Sequence, residues 1–223
     1  MEIHNIKLGI TNCYILKDKG IILIDTGMPG EFDKFTRGLA NLNINPEQIS
    51  LIVSTHGHWD HFGNLKQIRE FTGAKVLAQK NDRPLIEKGV KFMPPGVTKW
   101  GKTLRPLLKI MLKKFSLEPA IVDIETDEED FSLLAYGING KVVFTPGHSP
   151  GSISVVLDTG EAFVGDMAMN GPPLTLSPSL PIFAEDMSAV KTSWKKLIDK
   201  GVKKVYPAHG SAFSMDKLTD KIA

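Results

Sequence analysis

The sequence predicts a mixed α+β fold, on three observations. Short runs of aliphatic residues are closed by Gly-, Pro- or Asp-containing turns, as strands are. Between them lie segments whose apolar residues recur three and four apart, the period of a helix face. Several strand-like runs also end directly in a His or Asp held in a Gly- or Pro-containing turn. A chain of 223 residues is long enough for one large domain or two small ones, and at this length it buries roughly 70% of its unfolded surface, so no cross-links are needed. Cys13 is the single cysteine, which excludes an internal disulfide, and it reads as a small core residue.

Taken in order, residues 13–17 and 21–25 read as strands joined at Asp18-Lys19-Gly20, the second closing in Asp25-Thr26-Gly27. His4, ahead of the first of them, reads as exposed and without a role. Phe32, Phe35 and Leu39 share one helix face. Leu51 to Thr55 is a strongly apolar strand that runs into His56-Gly57-His58-Trp59-Asp60-His61. A helix with Leu65 and Ile68 inward follows, capped by Gly73, and then a strand from Ala74 to Ala78. Asn139-Gly140, between Ile138 and Lys141, is a tight-hairpin signal. Val142 to Phe144 leads into Thr145-Pro146-Gly147-His148. Ser152 to Leu157 and Glu161 to Val164 turn at Asp158-Thr159-Gly160, and the second ends at Gly165-Asp166. Ser188 is the expected N-cap of a helix with Val190, Trp194, Leu197 and Ile198 inward. A last strand, Lys203 to Tyr206, ends at Pro207-Ala208-His209-Gly210.

The run from His56 to His61 holds three of the six histidines and one carboxylate. Imidazole nitrogens and carboxylate oxygens are the donors of zinc-type sites, and imidazole also suits iron, nickel and copper. His56, His148, Asp166 and His209 each follow an apolar strand. If those strands share one architecture and one direction, their ends lie along one edge and these residues converge on the His-rich run. Asp25 lies at another strand end, where a turn-forming Asp and a residue supporting a metal ligand are both consistent readings.

The formal charge of +2 points to no polyanionic partner, so no nucleic acid is expected. The longest aliphatic run, Ile21 to Ile24, is far too short to span a bilayer. With Glu2 at the N-terminus there is no secretory leader, so the chain is expected in the cytoplasm without integral membrane association. Charge is unevenly placed. Lys99, Lys102, Arg105, Lys109, Lys113 and Lys114 form a basic block. Glu118, Asp123, Glu125, Asp127, Glu128, Glu129 and Asp130 form an acidic one. Such blocks solvate neighbouring surfaces or pair with each other.

The set HxHxDH at 56–61, Gly-His-Ser-Pro-Gly at 147–151, Gly-Asp at 165–166 and His-Gly at 209–210 resembles the metallo-β-lactamase superfamily. Asp25 in Ile-Asp-Thr-Gly matches that family's early acidic turn. The resemblance runs from about residue 12 to residue 210, with no ligand position missing. It implies that residues 1–223 form a single domain, an αββα sandwich with a dinuclear site at the edge between two sheets. His56, His58 and His148 would hold one metal. Asp60, His61 and His209 would hold the other, and Asp166 would bridge them. Zinc is the expected ion, with iron or manganese as alternatives. Two such ions, sharing a water whose pKa falls from about 15.7 towards 7, make hydroxide available at neutral pH. Asp60 is then placed to orient the nucleophile.

Within the superfamily, true β-lactamases lack the bridging carboxylate that Asp166 matches. Glyoxalase-II-like thioesterases carry a helical region after the last metal His, where 14 residues follow His209 here. Diiron electron-transfer relatives have Glu at the position of His58. Nuclease relatives add a clamping domain. Quorum-signal lactonases place a Tyr where Met169 stands. The leading expectation is a dinuclear hydrolase of a small, partly apolar ester, thioester, lactone or phosphoester. The alternatives are a mono-iron sulfur dioxygenase using His56, His148 and Asp166, and a ligand sensor that kept its metals.

Two segments are expected to shape the pocket. Residues 167–184 form an uncharged loop with Met167, Met169, Leu174, Leu176, Leu180, Ile182 and Phe183. Residues 93–117 read as an insertion mixing the basic block with Leu104, Leu107, Leu108, Ile110, Met111 and Leu112. It is a surface helix packed by its apolar face, a lid, or the contact of a homodimer.

Overall fold

The computed structural model describes residues 1–222. One sheet contains β1 (Glu2–Leu8), β2 (Thr11–Lys17), β3 (Ile21–Ile24), β4 (Ile49–Val53), β5 (Lys75–Gln79) and β6 (Ile124–Thr126), in that spatial order. β1 to β3 are antiparallel and β3 to β6 parallel. The second half supplies β7 (Phe131–Ser132), β8 (Gly140–Phe144), β9 (Ile153–Leu157), β10 (Glu161–Phe163), β11 (Met169–Asn170), β12 (Lys204–Tyr206), β13 (His209–Gly210) and β14 (Phe213–Ser214). Its main sheet runs β14-β12-β10-β9-β8-β7, while β11 and β13 form a separate two-stranded sheet. The helices are α1 (Phe32–Asn41), α2 (Leu65–Thr72), α3 (Arg83–Glu87), α4 (Lys99–Leu112), α5 (Met187–Asp199) and α6 (Asp216–Ile222). None is long and apolar enough to cross a membrane.

Successive side chains of a strand point to opposite faces, and this sorts the apolar residues into three cores. Tyr14, Leu16, Ile22, Ile24, Leu51 and Val53 meet Val142, Ile153, Val155 and Phe163 between the sheets. Their strand neighbours Cys13, Ile15, Ile21, Leu23 and Ile52 point outward to Phe35 and Leu39 of α1 and Leu65 and Ile68 of α2. Beyond the second sheet, Val143, Val156, Ala162 and Val205 pack under Val190, Trp194 and Leu197 of α5 and Leu218 of α6. The order is therefore helix, sheet, sheet, helix, the αββα sandwich.

The structure corrects several local expectations. His4 lies within β1 opposite Ile15, and its ring meets Glu2 at 3.0 Å. The alternation of β1 is weak because only Ile6 and Leu8 are buried. β4 stops at Val53, and Ser54 and Thr55 leave the sheet to make side-chain bonds at the site. Asn139-Gly140 is not a two-residue hairpin. Leu133 and Ile138 are drawn into the core between the sheets, so the link from β7 to β8 takes a longer path through a 3-10 turn at Leu134–Tyr136. Asp186, not Ser188, caps α5, its Oδ1 accepting from Ser188 N (2.8 Å) and Ala189 N (3.0 Å). Ile198 is 40% exposed on the outer side of α5. Gly73 caps α2 in the left-handed conformation, with φ of 72°.

The charged blocks do not pair with each other. Asp123 bonds Arg69 at 2.8 Å, Glu125 bonds Arg83, Asp127 meets Lys80, and Asp130 meets Lys141 and Lys200.

Candidate metal centre

Parallel strands end on a common edge, and polar residues placed there converge. β3, β4 and β5 deliver Asp25, the 56–61 turn and Asp82 to one edge of the first sheet. β10 delivers Asp166, and the turn after β12 delivers His209. The Gly147–Gly151 turn between β8 and β9 brings His148 to the same place. All seven sequence-predicted metal-site residues are buried and lie in one cluster.

Three overlapping groups have donor atoms close enough for one ion. They are His56, His58 and His148; His56, His61 and Asp166; and Asp60, His61 and His209. Asp166 lies between the two histidine sets. Its Oδ1 is 3.4 Å from His61 Nε2 and 3.2 Å from His209 Nε2, and its Oδ2 is 3.6 Å from His148 Nε2. Asp60 Oδ2 is 3.4 Å from His209 Nε2, and His58 Nδ1 faces His148 Nε2 at 2.9 Å.

The outer nitrogens of the imidazoles set their tautomers. A carbonyl or carboxylate can only accept, so His148 Nδ1–H donates to Phe183 O (2.8 Å) and His209 Nδ1–H to Ile10 O (3.0 Å). His61 Nδ1–H donates to Asp25 Oδ2 (2.9 Å). Thr55 Oγ1 gives its proton to Asp25 Oδ2 (2.8 Å), so it accepts from His56 Nδ1–H at 3.1 Å. In the neutral form each of these four rings therefore aims an Nε2 lone pair inward. Nε2 of His56 and of His61 is buried with no hydrogen-bond partner. Buried donors left unpaired in this way fit a bound cation, and the His and carboxylate set suits a divalent metal.

The electrostatics divide the cluster. Burial pushes His56, His58 and His148 below the usual imidazole range, which keeps these rings neutral, with one nitrogen of each free of its proton. Burial opposes charge on His61 and His209 as well, but neighbouring carboxylates outweigh it. Asp166, Asp25 and Asp60 raise His61. Asp166 and Asp60 push His209 up to about 10. Asp166 is held well below the carboxylate range, since His209 and His61 outweigh its own desolvation. In the metal-free chain, protons on His61 and His209 balance the carboxylates, and a cation bound at these nitrogens would displace them.

The backbone is shaped to this end. Gly165 has φ of 53°, and a Cβ there would lie 2.6 Å from Thr55 Oγ1. Asp25, also at positive φ (60°), accepts from Thr55 N (2.8 Å) besides Thr55 Oγ1 and His61. It is a support for a candidate ligand rather than only a turn former. Asp82 was not singled out from sequence. It is 1% exposed, and its carboxylate accepts from Gly57 N (2.7 Å), Ser149 Oγ (2.7 Å) and Gly151 N (2.9 Å). It ties the turn carrying His56 and His58 to the turn carrying His148. Its sequence signal is weak, because Lys80 and Asn81 separate Asp82 from the end of β5 whereas Asp25 follows β3 directly. The carbonyls of Ile10 and Phe183 have no such signal, since any residue supplies one.

A narrow pocket reaches Asp60, Asp166, His58, His148 and His209. Its walls are apolar: Ile10, Trp59, Met93, Leu108, Met169, Leu174 and Phe183. Met169, Leu174 and Phe183 come from the 167–184 loop. Leu176 of that loop is 96% exposed, and Met167 packs in the core beneath α5. Met93 and Leu108 come from the 93–117 segment, where α4 also packs Leu104, Met111 and Leu112 against the outer core of the first sheet. The helix is both a packed surface element and part of the pocket wall.

The sequence matches the family model of the metallo-beta-lactamase superfamily over residues 6–209. The chain belongs to that superfamily. Among curated superfamily relatives, it is 25% identical to the probable metallo-hydrolase YflN of Bacillus subtilis, covering 83% of this chain and 77% of that one. It is 26% identical to the probable metallo-hydrolase MJ0888 of Methanocaldococcus jannaschii, covering 93% and 94%. Hydroxyacylglutathione hydrolase GloC of Haemophilus influenzae is 25% identical over 72% of this chain and 68% of that one. Among solved structures, TTHA1623 in a di-iron-bound form overlays with a TM-score of 0.72 at 22% identity, covering 96% of each chain. This last likeness establishes the shared fold.

Proposed function

We propose that this superfamily member is a metal-dependent hydrolase of a small, partly apolar ester, thioester, lactone or phosphoester. The observation that carries the reading is that the Nδ1 atoms of His56, His61, His148 and His209 are each tied to an outer partner, which leaves their Nε2 atoms grouped around Asp166. His56, His58 and His148 would hold one divalent ion and Asp60, His61 and His209 another, with Asp166 between the two groups. Zinc is the proposed ion. When bound, such a pair supplies Lewis acidity and lowers the pKa of an attacking water from about 15.7 towards 7.

The chain's own groups do the rest. Asp60 lines the pocket floor and accepts from the attacking water, orienting it and carrying its proton away. The apolar walls take the acyl or alkyl part of the substrate and exclude bulk water. The likeness to a hydroxyacylglutathione hydrolase keeps thioesters in the substrate class. Assembly of the Asp60, His61 and His209 group beside the first favours two ions over a mono-iron dioxygenase.

The test is turnover of a matched series of esters, thioesters, lactones and phosphoesters by zinc-loaded and chelated protein. Metal-dependent hydrolysis of one class supports the reading. Oxygen consumption with a thiol substrate and iron, without hydrolysis, would replace it.

A further inference from the structure

α4 presents two features that the pocket does not use. Gly101, Leu108 and Leu112 mark its inner face, and Gly101 sits directly on the Ile182 carbonyl where a Cβ would clash. On one flank Trp100, Leu107 and Ile110 are 49%, 63% and 61% exposed. At helical spacing these three share one side. On the outer face and the other flank stand Lys99, Lys102 and Lys109, and Lys113 and Lys114 follow directly after the helix, all exposed, with no acidic residue between them. The nearby acidic block bonds other cations, and none of these five lysines has a carboxylate partner among the described residues.

A large exposed apolar stripe beside an uncompensated basic stripe is the pattern of a helix that lies in the plane of a lipid–water interface. Lysines near an anionic surface add attraction individually, while Trp, Leu and Ile enter the headgroup boundary. Trp100 Nε1 donates to Pro173 O (3.1 Å), which ties α4 to the loop carrying the fully projecting Leu176. A second copy of this chain is the poorer occupant, since a symmetric contact would set lysines against lysines.

We propose that α4 docks this protein peripherally on an anionic lipid bilayer. Wall and docking face are then two sides of one helix, because Leu108 lines the pocket from the inner side. The proposal does not depend on which reaction the site performs.

The test is co-sedimentation of the metal-loaded full chain with vesicles of phosphatidylcholine alone or of equimolar phosphatidylcholine and phosphatidylglycerol. The anionic vesicles are expected to bind the protein, high salt to release it, and Trp100 emission to shift to the blue, a shift absent in W100F. K109E/K113E and L107S/I110S are each expected to weaken binding by about tenfold or more. Their circular dichroism and metal content report whether they remain folded. Failure to bind anionic vesicles, equal binding to neutral ones, or indifference to salt overturns the proposal. Self-association lost in L107S/I110S without any vesicle binding replaces it with a dimer contact.

Discussion

Asp25 holds His61 through one carboxylate oxygen and Thr55 through both, so it fixes ring orientation and tautomer together. Such partners of metal ligands are worth about 10- to 100-fold in metal affinity or activity. D25N should lose that much in a competitive chelator titration while its secondary structure is retained. Asp82 acts on the turns instead, holding Gly57 N, Gly151 N and the Ser149 hydroxyl. D82N should weaken the His56, His58 and His148 group more than the other, read as loss of one metal before the second. pH acts on the centre with two signs. In the metal-free chain His209 is pushed from 6.5 up to about 10. Its contribution to stability is complete below about 6.5 and is lost as pH rises through about 10. Metal needs the same nitrogen unprotonated. The unfolding temperature of chelated protein should therefore fall over this window, while zinc affinity rises. The candidate ligands were legible in the sequence because they stand in turns that follow strands, and the structure brings all seven into one buried cluster. The tautomer-setting carbonyls of Ile10 and Phe183 were not, because no side chain encodes them.

The pocket is made at the level of elements, where the stretch leading into α4 is bonded to the 167–184 loop and Arg105 ties that stretch back to the helix. Val97 N donates to Ile182 O (2.9 Å), Ala184 N to Pro95 O (3.2 Å), and Arg105 to the carbonyls of Pro94 (2.8 Å) and Met93 (3.1 Å). Leu108 and Phe183 are the side chains to trim. L108A and F183A should each shift turnover towards longer acyl chains, measured as kcat/KM across an ester series. A flat profile in both would mean the wall does not select length. The apolar character of both segments was readable, but not which of their residues line the cavity. Leu174 and Leu176 differ by two positions and are 8% and 96% exposed, a distinction made by loop path and not by periodicity. Likewise β1 escaped notice because a half-exposed edge strand lacks a clean alternation, and Asn139-Gly140 misled because Leu133 and Ile138 gain more by burial between the sheets than from a tight turn.

Across the whole molecule, the cores beneath the helices hold the two sheet edges in register, and the centre is where those edges meet. Trp194 is fully buried under the second sheet and donates to Met167 O (2.9 Å), next to Asp166. W194A should cost about 3–5 kcal/mol in denaturant unfolding and reduce metal retention with it. Metal in turn should raise the unfolding temperature of the native chain, because ligands bind only the assembled edge. The account stands on that edge holding two ions bridged by Asp166. The most direct measurement is elemental analysis after chelation, reloading with zinc and removal of excess metal. Two zincs per chain, with D166N holding one or fewer, is the predicted result. A native chain that holds a single ion, or a D166N chain that keeps two with normal turnover, would contradict it.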